Sequence, residues 1–353
     1  MARPNMVGIG LRVAILGCGT ISHQHVAAFR SNHLSTITAL IDKQLSKTRS
    51  FLSGQPEPKV FSSLDDALRW NEFDAVDIML PHDVHEAAAV QCLRAGKHVL
   101  LEKPLAHNID AARRILDEAR KARAADPRLV FMVAENASYW PEVVKAEELI
   151  ADGCIGDVHM AKSHYWESKA QSPFAMFDTD SWRYSVERVG GGILMDGCSH
   201  WIRPLRVWMG DIDEVVGITS RDPIKSMQGE SLVRALIRFK SGKFGQMGGT
   251  VSTAPMSNQP FFHIFGTMGE ITIDGDFDGG MTLFNHEHPR GLTLGSQGGF
   301  MASYKPEIDD FLSAIIHEKP LKASAEQALG ELQTAQAIYR SMDTKRWEKI
   351  DSF

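Results

Sequence analysis

Two segments of the chain carry side chains whose type and position would let them do chemistry, and the first centres on a lysine. Lys103 belongs to the triplet Glu102-Lys103-Pro104, directly after the apolar run 98–101. An ammonium group at the end of a buried strand can donate a hydrogen bond to a reacting oxygen and stabilise negative charge that develops on it. A solvated surface charge is the alternative, because lysine side chains are mostly exposed.

The second segment, residues 190–200, places a carboxylate and an imidazole four residues apart. Three glycines are followed by Asp196 and His200, and apolar residues continue to Met209 before Gly210. If this stretch is one helix, residues four apart share a face. A carboxylate beside an imidazole fixes the orientation of the ring and stabilises its protonated form, which suits general acid/base chemistry. A buried polar pair or a surface ion pair is the alternative.

The elements that must position these groups follow from the hydrophobic pattern. From Leu11 onward, short apolar runs alternate with amphipathic segments, which is typical of strand-helix units around a parallel sheet. The predicted strands are 11–16, 35–41, 75–80, 98–101 and 129–134, with a short one near Val60, and the predicted helices are 63–70, 85–95 and 109–124. We therefore expect an N-terminal α/β domain with a doubly wound parallel sheet, residues 1–135.

The turn after the first predicted strand suits a dinucleotide. It reads Gly17-Cys18-Gly19-Thr20-Ile21-Ser22, with Ser22 in the place of the third glycine of G-x-G-x-x-G. Glycines let backbone N–H groups approach a pyrophosphate at the start of a helix. Asp42 ends the second strand and would accept hydrogen bonds from the ribose hydroxyls, or act as a helix N-cap. Its charge favours NAD over NADP, while Lys43, Lys47 and Arg49 leave NADP possible.

The fourth strand ends in a second candidate segment, Leu80-Pro81-His82-Asp83-Val84-His85. Its histidines belong either to the ligand edge of the sheet or to the turn itself. The predicted cofactor contacts are Gly17, Gly19, Thr20, Ile21, Asp42, Lys43, Leu80, Pro81, His82, His85, Glu102 and Lys103.

The second half of the chain has a different pattern. One helix is predicted at 141–151, and strands then follow without intervening helices at 157–166, 214–219, 231–239, 244–251, 261–265 and 270–273. Helices are predicted at 305–317 and 325–342, and residues 291–299 are predicted to form a flexible loop. We expect an α+β domain with a largely antiparallel sheet, residues 136–353, whose last helices pack either within it or back on the first domain.

Composition excludes several classes of protein. With 43% hydrophobic and 23% charged residues, the chain can build packed cores, and a net charge of -6 gives it no general attraction for nucleic acid or an anionic membrane. The four cysteines form no C-x-x-C pair, and the first ten residues lack the apolar core of a signal peptide, so we expect a cytoplasmic protein. His23-Gln24-His25 and His286-Glu287-His288 resemble fragments of metal sites, but spacing places no third ligand, and we expect no metal.

Short motifs spread over nearly the whole chain resemble those of the Gfo/Idh/MocA oxidoreductases. They are Gly17-x-Gly19 with His25, Glu102-Lys103-Pro104, Ile155-Gly156-Asp157, Trp182-Arg183, the run from Gly190 to His200, and Gly266-Thr267-x-Gly269. Each motif is weak singly, and together they are specific.

The resemblance implies a Rossmann domain and a second domain whose open sheet makes a homodimer or homotetramer interface. It implies NAD(P) as cofactor and sugars, inositols or related polyols as substrates. Lys103 would contact the reacting hydroxyl, His200 would be the acid/base, and Asp196 would orient the substrate or His200. It also implies a cis peptide bond before Pro104.

The predicted substrate-binding residues are Lys103, Trp166, Arg183, Asp196 and His200, with His164 and Tyr184 as further candidates for the pocket. Core packing or an oligomer interface is the alternative for the aromatic ones. The chain departs from the family at Arg203, because inositol-oxidising members often carry an acidic residue three positions after the histidine. An arginine there suits a carboxylate or phosphate, or is solvated on the helix.

The leading hypothesis is therefore an NAD-dependent enzyme that moves a hydride between nicotinamide and a CH–OH carbon of a sugar-like substrate. One alternative is a lyase that retains NAD and oxidises the sugar only transiently. The other is an NAD-binding regulatory protein without catalysis, which could lack the lysine and the histidine that this chain has.

Overall fold

The structure is a computed structural model, and it describes residues 10–52, 57–169 and 179–351. Internal contacts divide the chain into two units. The first contains the residues up to Ala134 together with Tyr304–Ala328, and the second contains Glu135–Ser303 and the residues from Leu329 onward. Each unit has its own sheet.

The first unit is built on a six-stranded sheet with the order β3-β2-β1-β4-β5-β6, in which all neighbours are parallel. The strands are β1 (Leu11–Leu16), β2 (Ser35–Ile41), β3 (Lys59–Phe61), β4 (Ala75–Ile78), β5 (His98–Glu102) and β6 (Phe131–Ala134). The helices between them are α1 (Ser22–Arg30), α2 (Leu64–Trp70), α3 (His85–Arg94) and α4 (Ile109–Ala125). This strand order is that of a Rossmann fold.

Continuous apolar runs explain why these strands lie at the centre of the unit. Val13, Ala14 and Ile15 of β1 are fully buried, as expected when helices cover both faces of a parallel sheet. Burial of one large aliphatic side chain contributes about 1.5–3 kcal/mol. Asp77 of β4 lies in the same fully buried layer, so a charged group sits inside the sheet.

The turn after β1 requires glycine at position 17. The φ angle of Gly17 is 96°, and a Cβ atom there would lie 2.2 Å from the carbonyl oxygen of Met79. Because Met79 follows β4, the turn passes directly against the end of the neighbouring strand. The missing side chain thus lets β1 and β4 end side by side.

The second unit is built on a nine-stranded sheet with the order β14-β13-β12-β11-β7-β10-β9-β8-β15. Its strands are β7 (Val158–Ser168), β8 (Ile212–Ser220), β9 (Leu232–Phe239), β10 (Phe244–Ser252), β11 (Phe262–Gly266), β12 (Gly269–Ile273), β13 (Met281–Asn285), β14 (Leu292–Thr293) and β15 (Glu348–Lys349). Only β7 and β10 pair in parallel among these strands.

Its helices are α5 (Pro141–Ala151), α6 (Val186–Val189), α7 (Ile193–Asp196) and α8 (Ser199–Met209). Two longer helices follow near the end of the chain: α9 (Tyr304–Ile316), which belongs to the first unit and packs on α1, and α10 (Ala325–Thr344), most of which belongs to the second unit.

The two faces of the second sheet differ in burial. In β9, Val233, Ala235 and Ile237 are buried on one face, while Leu236 between them is 52% exposed. Ile218 of β8 and Phe244 of β10 are likewise exposed, by 66% and 55%. The sheet therefore has a packed face and an open face on which these apolar side chains are exposed.

An aromatic cluster holds the start of α5 and the start of α8 together. The Trp140 ring meets Trp201, Phe261 and Phe300 edge-on, with centroids 6.1, 5.8 and 5.1 Å apart. Edge-to-face packing of this kind adds about 0.5–1.5 kcal/mol per pair beyond the area buried. The cluster packs Trp201, the residue that follows His200, against the start of α5.

The predicted fold class is confirmed: a Rossmann sheet is followed by an α+β unit with a largely antiparallel sheet. The sequence pattern missed β13, β14 and β15, and β14 lies inside the stretch predicted to be a loop. Two-residue strands such as β14 are too short to show a period. Among the residues that the structure describes, no helix combines the length and the apolar character that crossing a bilayer requires.

One predicted helix is wrong. The segment after the three glycines is not continuous, because α7 ends at Asp196 and α8 begins at Ser199. Gly197 lies at the break, where a Cβ atom would be 2.7 Å from the ring of Tyr165. A side chain at position 197 would therefore clash with β7, and only glycine fits there.

Candidate active site

Lys103 directly follows β5, at the edge of the sheet where β1 and β4 also end. The peptide bond between Lys103 and Pro104 is cis, as the family resemblance implies. The carboxyl edge of a parallel sheet, beside β1 and β4, is where Rossmann folds bind the dinucleotide. Lys103 thus lies where the sequence predicted it.

His85 ties together the two segments that leave this edge. Its Nε2 lies 2.8 Å from the carbonyl oxygen of Leu80, and its Nδ1 lies 3.0 Å from that of Pro104. Burial lowers the pKa of His85 below its ordinary value, against the opposing effect of the two carbonyls. His85 therefore holds the Lys103-Pro104 backbone against the end of β4, which is the turn role that the sequence left open.

A second buried imidazole, that of His25, contacts Glu102. His25 of α1 is fully buried, with Nδ1 3.0 Å from an Asp77 carboxylate oxygen and Nε2 3.2 Å from Glu102. Burial by itself lowers the pKa of His25, but the two carboxylates outweigh it and hold the pKa well above 6.5. The last residue before Lys103 is thereby anchored to the helix that follows the glycine-rich turn.

Asp42 lies beside that turn. One of its carboxylate oxygens accepts a hydrogen bond from the backbone N–H of Cys18 (2.9 Å) and the other accepts from Gln44 (2.7 Å). The carboxylate is thus held at the end of β2, next to the backbone that would approach a pyrophosphate. Burial, and secondarily the charge of Asp42, raises the pKa of the Cys18 thiol to about 12.

The remaining predicted cofactor residues divide by exposure. Thr20 and Lys43 are exposed, whereas Gly19, Ile21, Leu80 and Pro81 are partly exposed and His82 is buried. A Cβ atom at Gly19 would meet nothing within 4 Å. Open space beside a turn of this kind leaves room for a bound ligand.

In the second unit, His200 is held by a glutamate. Nδ1 of His200 lies 2.5 Å from Oε1 of Glu135, the residue that directly follows β6. Both side chains are buried. The partner of His200 is therefore Glu135, and the predicted pairing with Asp196 is not formed.

Asp196 instead pairs with Arg183. Nε of Arg183 lies 3.0 Å from a carboxylate oxygen of Asp196. The guanidinium carbon of Arg183 also lies 4.5 Å from the centre of the Trp182 ring. The break at Gly197 explains this choice, because Asp196 and His200 do not lie on one helix. Two predicted substrate residues, Arg183 and Asp196, are thus brought together.

Arg203 lies in neither of the two environments predicted for it, which were a substrate carboxylate or phosphate and the solvent. It is only 2% exposed, and its guanidinium donates to Glu331 of α10 at 2.7 Å. Arg206, one turn further along α8, pairs with the same glutamate. Arg203 is therefore neither solvated nor free to receive a carboxylate, because its charge is already neutralised inside the second unit.

Three other predicted pocket residues lie on β7 or near α6. The Trp166 indole is buried and donates to the carbonyl oxygen of Gln259 at 3.0 Å. Tyr184 is buried, and His164 is partly exposed. Burial, followed by the charge of Arg234, lowers the pKa of His164 to about 4, so this ring is neutral at physiological pH.

Within residues 10–52, 57–169 and 179–351, no group of three or more His, Cys, Asp or Glu side chains is arranged to hold a metal ion. The four cysteines, Cys18, Cys92, Cys154 and Cys198, are free thiols. Burial raises the pKa of Cys92 to about 12 as well.

Sequence reasoning missed Glu135 and Asp77. Glu135 stands at the end of an apolar run, the same position that drew attention to Lys103, and that rule would have found it. Asp77 interrupts the apolar run of β4, and a carboxylate inside a buried strand needs a partner. The pattern does not say which residue that partner is.

Comparison with known proteins agrees with this architecture. The Gfo/Idh/MocA family model described as "Oxidoreductase family, NAD-binding Rossmann fold" matches residues 11–125, and the one described as "Oxidoreductase family, C-terminal alpha/beta domain" matches residues 147–350. Together these spans cover most of the chain.

Two named relatives are about a quarter identical to this chain over the residues that align with it. A levoglucosan dehydrogenase of Pseudarthrobacter phenanthrenivorans is 28% identical over 228 residues, covering 58% of this chain and 56% of that protein. A myo-inositol 2-dehydrogenase of Thermotoga maritima is 22% identical over 347 residues, covering 97% of this chain and 99% of that protein.

Among solved structures, a levoglucosan dehydrogenase in complex with NADH superimposes with a TM-score of 0.84 at 22% identity, covering 98% of this chain and 100% of that one. At this identity the likeness shows the shared fold. The two family matches go further: the chain belongs to the Gfo/Idh/MocA oxidoreductases and has an NAD-binding Rossmann domain.

Proposed function

We propose that this enzyme oxidises a CH–OH group of a sugar, polyol or sugar-derived substrate to a carbonyl, in a reversible reaction with NAD. The observation that carries the proposal is the position of Lys103 at the carboxyl edge of the NAD-binding sheet, anchored by His85 and through Glu102. The names of the levoglucosan and myo-inositol dehydrogenases support the substrate class.

Each site residue has a distinct role in the proposed reaction. The ammonium of Lys103 donates to the reacting oxygen and stabilises the negative charge that develops as the hydroxyl loses its proton. His200 takes that proton, and the paired Arg183 and Asp196 bind substrate hydroxyls. Bound NAD supplies the hydride acceptor.

The substrate class is tested by following reduced cofactor spectrophotometrically with NAD, and separately NADP, against sugars, inositols, sugar acids and glycosides. Growth of absorbance with one compound class supports the proposal and identifies that class. Glycoside cleavage without added NAD would identify the lyase alternative. Cofactor binding with no turnover on any compound would identify the non-catalytic alternative.

Replacing Lys103 by Met tests the assignment directly. We expect kcat to fall at least about 100-fold, because one donor to the developing oxyanion is lost. The dissociation constant for NADH, measured by fluorescence, should stay within about threefold. Lys121→Met, which changes an exposed lysine of α4, is the matched control. Near-normal turnover of the Lys103 variant would remove this residue from the mechanism.

We further propose that the enzyme prefers NAD to NADP. The Asp42 carboxylate, fixed by the backbone of Cys18 and Gln44, would repel a 2′-phosphate at the end of β2. Asp42→Ser should raise the ratio of kcat/KM with NADP to that with NAD at least about tenfold. An unchanged ratio would place the discrimination elsewhere.

Two finer proposals concern the protein in the cell. The open apolar face of the second sheet, around Ile218, Leu236 and Phe244, would pair with a second copy of the chain in a homodimer or homotetramer. The free thiols of its four cysteines fit a reducing compartment, so we propose the cytoplasm as its location.

A further inference from the structure

The contact between His200 and Glu135 has the geometry of an oriented catalytic base. Nδ1 of His200 and Oε1 of Glu135 lie 2.5 Å apart, which is within hydrogen-bonding distance. Glu135 is 1% exposed, so water does not compete for its oxygens. The pair lies wholly inside the second unit.

Neighbouring groups fix both partners of this hydrogen bond. Oε1 of Glu135 also accepts from the backbone N–H of Ala137 at 3.2 Å. The next residue, Asn136, donates from its side chain to the hydroxyl of Ser303 at 2.7 Å, which anchors the segment. The His200 ring meets Phe300 edge-on, with centroids 5.3 Å apart. Neither side chain can turn away without breaking these contacts.

The acceptor decides which nitrogen of the ring carries the proton. A carboxylate oxygen only accepts hydrogen bonds, so Nδ1 must donate and Nε2 of the neutral ring keeps its lone pair. We propose that Glu135 is a positioning residue for the dehydrogenation: it holds His200 in the tautomer whose Nε2 receives the hydroxyl proton. This inference rests on the proposed function, and it assigns to Glu135 the part that the sequence gave to Asp196.

The proton and electron balance of the step is complete. The O–H proton of the substrate moves to Nε2, the C–H bond breaks with both electrons transferred as hydride to the nicotinamide, and a C=O bond forms. Nδ1 keeps its hydrogen throughout. The imidazolium that results is stabilised by the neighbouring Glu135 carboxylate, as in catalytic triads.

Other charged groups on the elements packed against α8 have their own partners. Asp196 of α7 pairs with Arg183. Glu167 of β7 accepts from Tyr165. Glu142 of α5 accepts from two backbone amides, and Glu331 of α10 binds Arg203 and Arg206. Glu135 is therefore the carboxylate to test for an effect on His200.

The first test determines the tautomer of His200 and needs no substrate. The protein is labelled with ¹⁵N-histidine, and the His200 signals among its 14 histidines are identified by their loss in His200→Gln. Long-range ¹H–¹⁵N NMR should show neutral His200 protonated at Nδ1. In Glu135→Leu, which removes the acceptor, the Nε2–H form should become substantially populated. An Nε2–H ring in the wild type, or an unchanged tautomer in the variant, would overturn the proposal.

The second test uses kinetics on the substrate that the panel identifies. Glu135→Gln keeps the size of the side chain but removes its charge. We expect kcat to fall at least about tenfold, KM to stay within about threefold, and the acid limb of the kcat–pH profile to move to lower pH. Glu142→Gln, a buried carboxylate of the same unit that accepts from backbone amides, should leave the profile in place.

The two tests separate failure of the inference from failure of the proposed function. If no compound is turned over by the wild type, the proposed function fails, while the NMR result still decides whether Glu135 sets the tautomer. If the wild type is active and Glu135→Gln keeps both kcat and the pH profile, the inference fails and the proposed function stands. Thermal melting and NADH fluorescence are measured for each variant to establish that it is folded.

Discussion

At the scale of single residues, the first unit contains a buried charge cluster in which the imidazole of His25 lies between two carboxylates. The ring is fully buried beside Asp77 and Glu102. A buried charge without a partner is costly, so the positive ring and the negative carboxylates stabilise one another. The cluster links the helix after the glycine-rich turn to Glu102, the last residue of β5.

The pH dependence of stability should report this cluster. The pKa of His25 is raised well above 6.5 in the folded protein, and a raised pKa means that the folded state binds the proton more tightly. Its contribution to the free energy of unfolding is therefore complete below about pH 6.5 and is lost as pH rises toward the folded-state pKa, by up to about 1.4 kcal/mol per pH unit.

We expect His25→Gln to be less stable than the wild type at pH 6 and to show a flatter decline on the alkaline side. Urea unfolding of both proteins between pH 6 and 9 measures this slope. His33→Gln, an exposed histidine of the same unit, is the control and should retain the wild-type slope. Equal slopes in wild type and His25→Gln would show that His25 is not charged in the folded protein.

At the scale of elements, the packing of α8 against α10 depends on one buried glutamate. Glu331 receives Arg203 and Arg206 from successive turns of α8. Because α8 begins with Ser199 and His200, this contact fixes the helix that carries the proposed base. It also shows what holds Arg203, the residue at which the chain departs from the family pattern: a buried ion pair with Glu331.

Removing the shared carboxylate should destabilise this pair of helices strongly. Glu331→Gln leaves Arg203 buried without a counter-charge, and we expect a loss of about 3–5 kcal/mol in the free energy of unfolding, measured by denaturant titration. The double variant Arg203→Met with Glu331→Met removes the buried Arg203–Glu331 pair, leaves Arg206 with Asp211, and should recover part of the loss. A double variant as unstable as the sum of two single losses would contradict this account.

At the scale of the whole molecule, the open face of the second sheet is the feature that indicates an interaction surface. Exposed apolar side chains on adjacent strands, Ile218, Leu236 and Phe244, form a patch of the kind that marks interaction surfaces. A second copy of the chain would bury this patch and the neighbouring strands together.

We expect the wild type to sediment as a dimer or tetramer in analytical ultracentrifugation, and the double variant Leu236→Glu with Phe244→Glu to shift toward monomer, because two buried charges would face each other across the interface. Met268→Glu, an exposed methionine in the turn between β11 and β12, should not change the assembly. A monomeric wild type would show that another partner, or none, covers this face.

The sequence by itself determined the fold class and the edge at which the chemistry lies. The signals for both are local in the sequence. They are apolar runs, alternating or continuous, and the glycines at positions 17 and 19. Local patterning therefore predicted the Rossmann sheet, most strands of the second sheet, and the position of Lys103 after β5.

Only the tertiary structure decided which side chains act in pairs. His200 binds Glu135, Asp196 binds Arg183, and Arg203 binds Glu331. Each of these pairs joins residues on different elements, and α7 ends at Asp196 before α8 begins at Ser199, so Asp196 and His200 do not share one continuous helix. Spacing along the chain predicts neighbours on one element, whereas contacts between elements follow from packing, which no local pattern encodes.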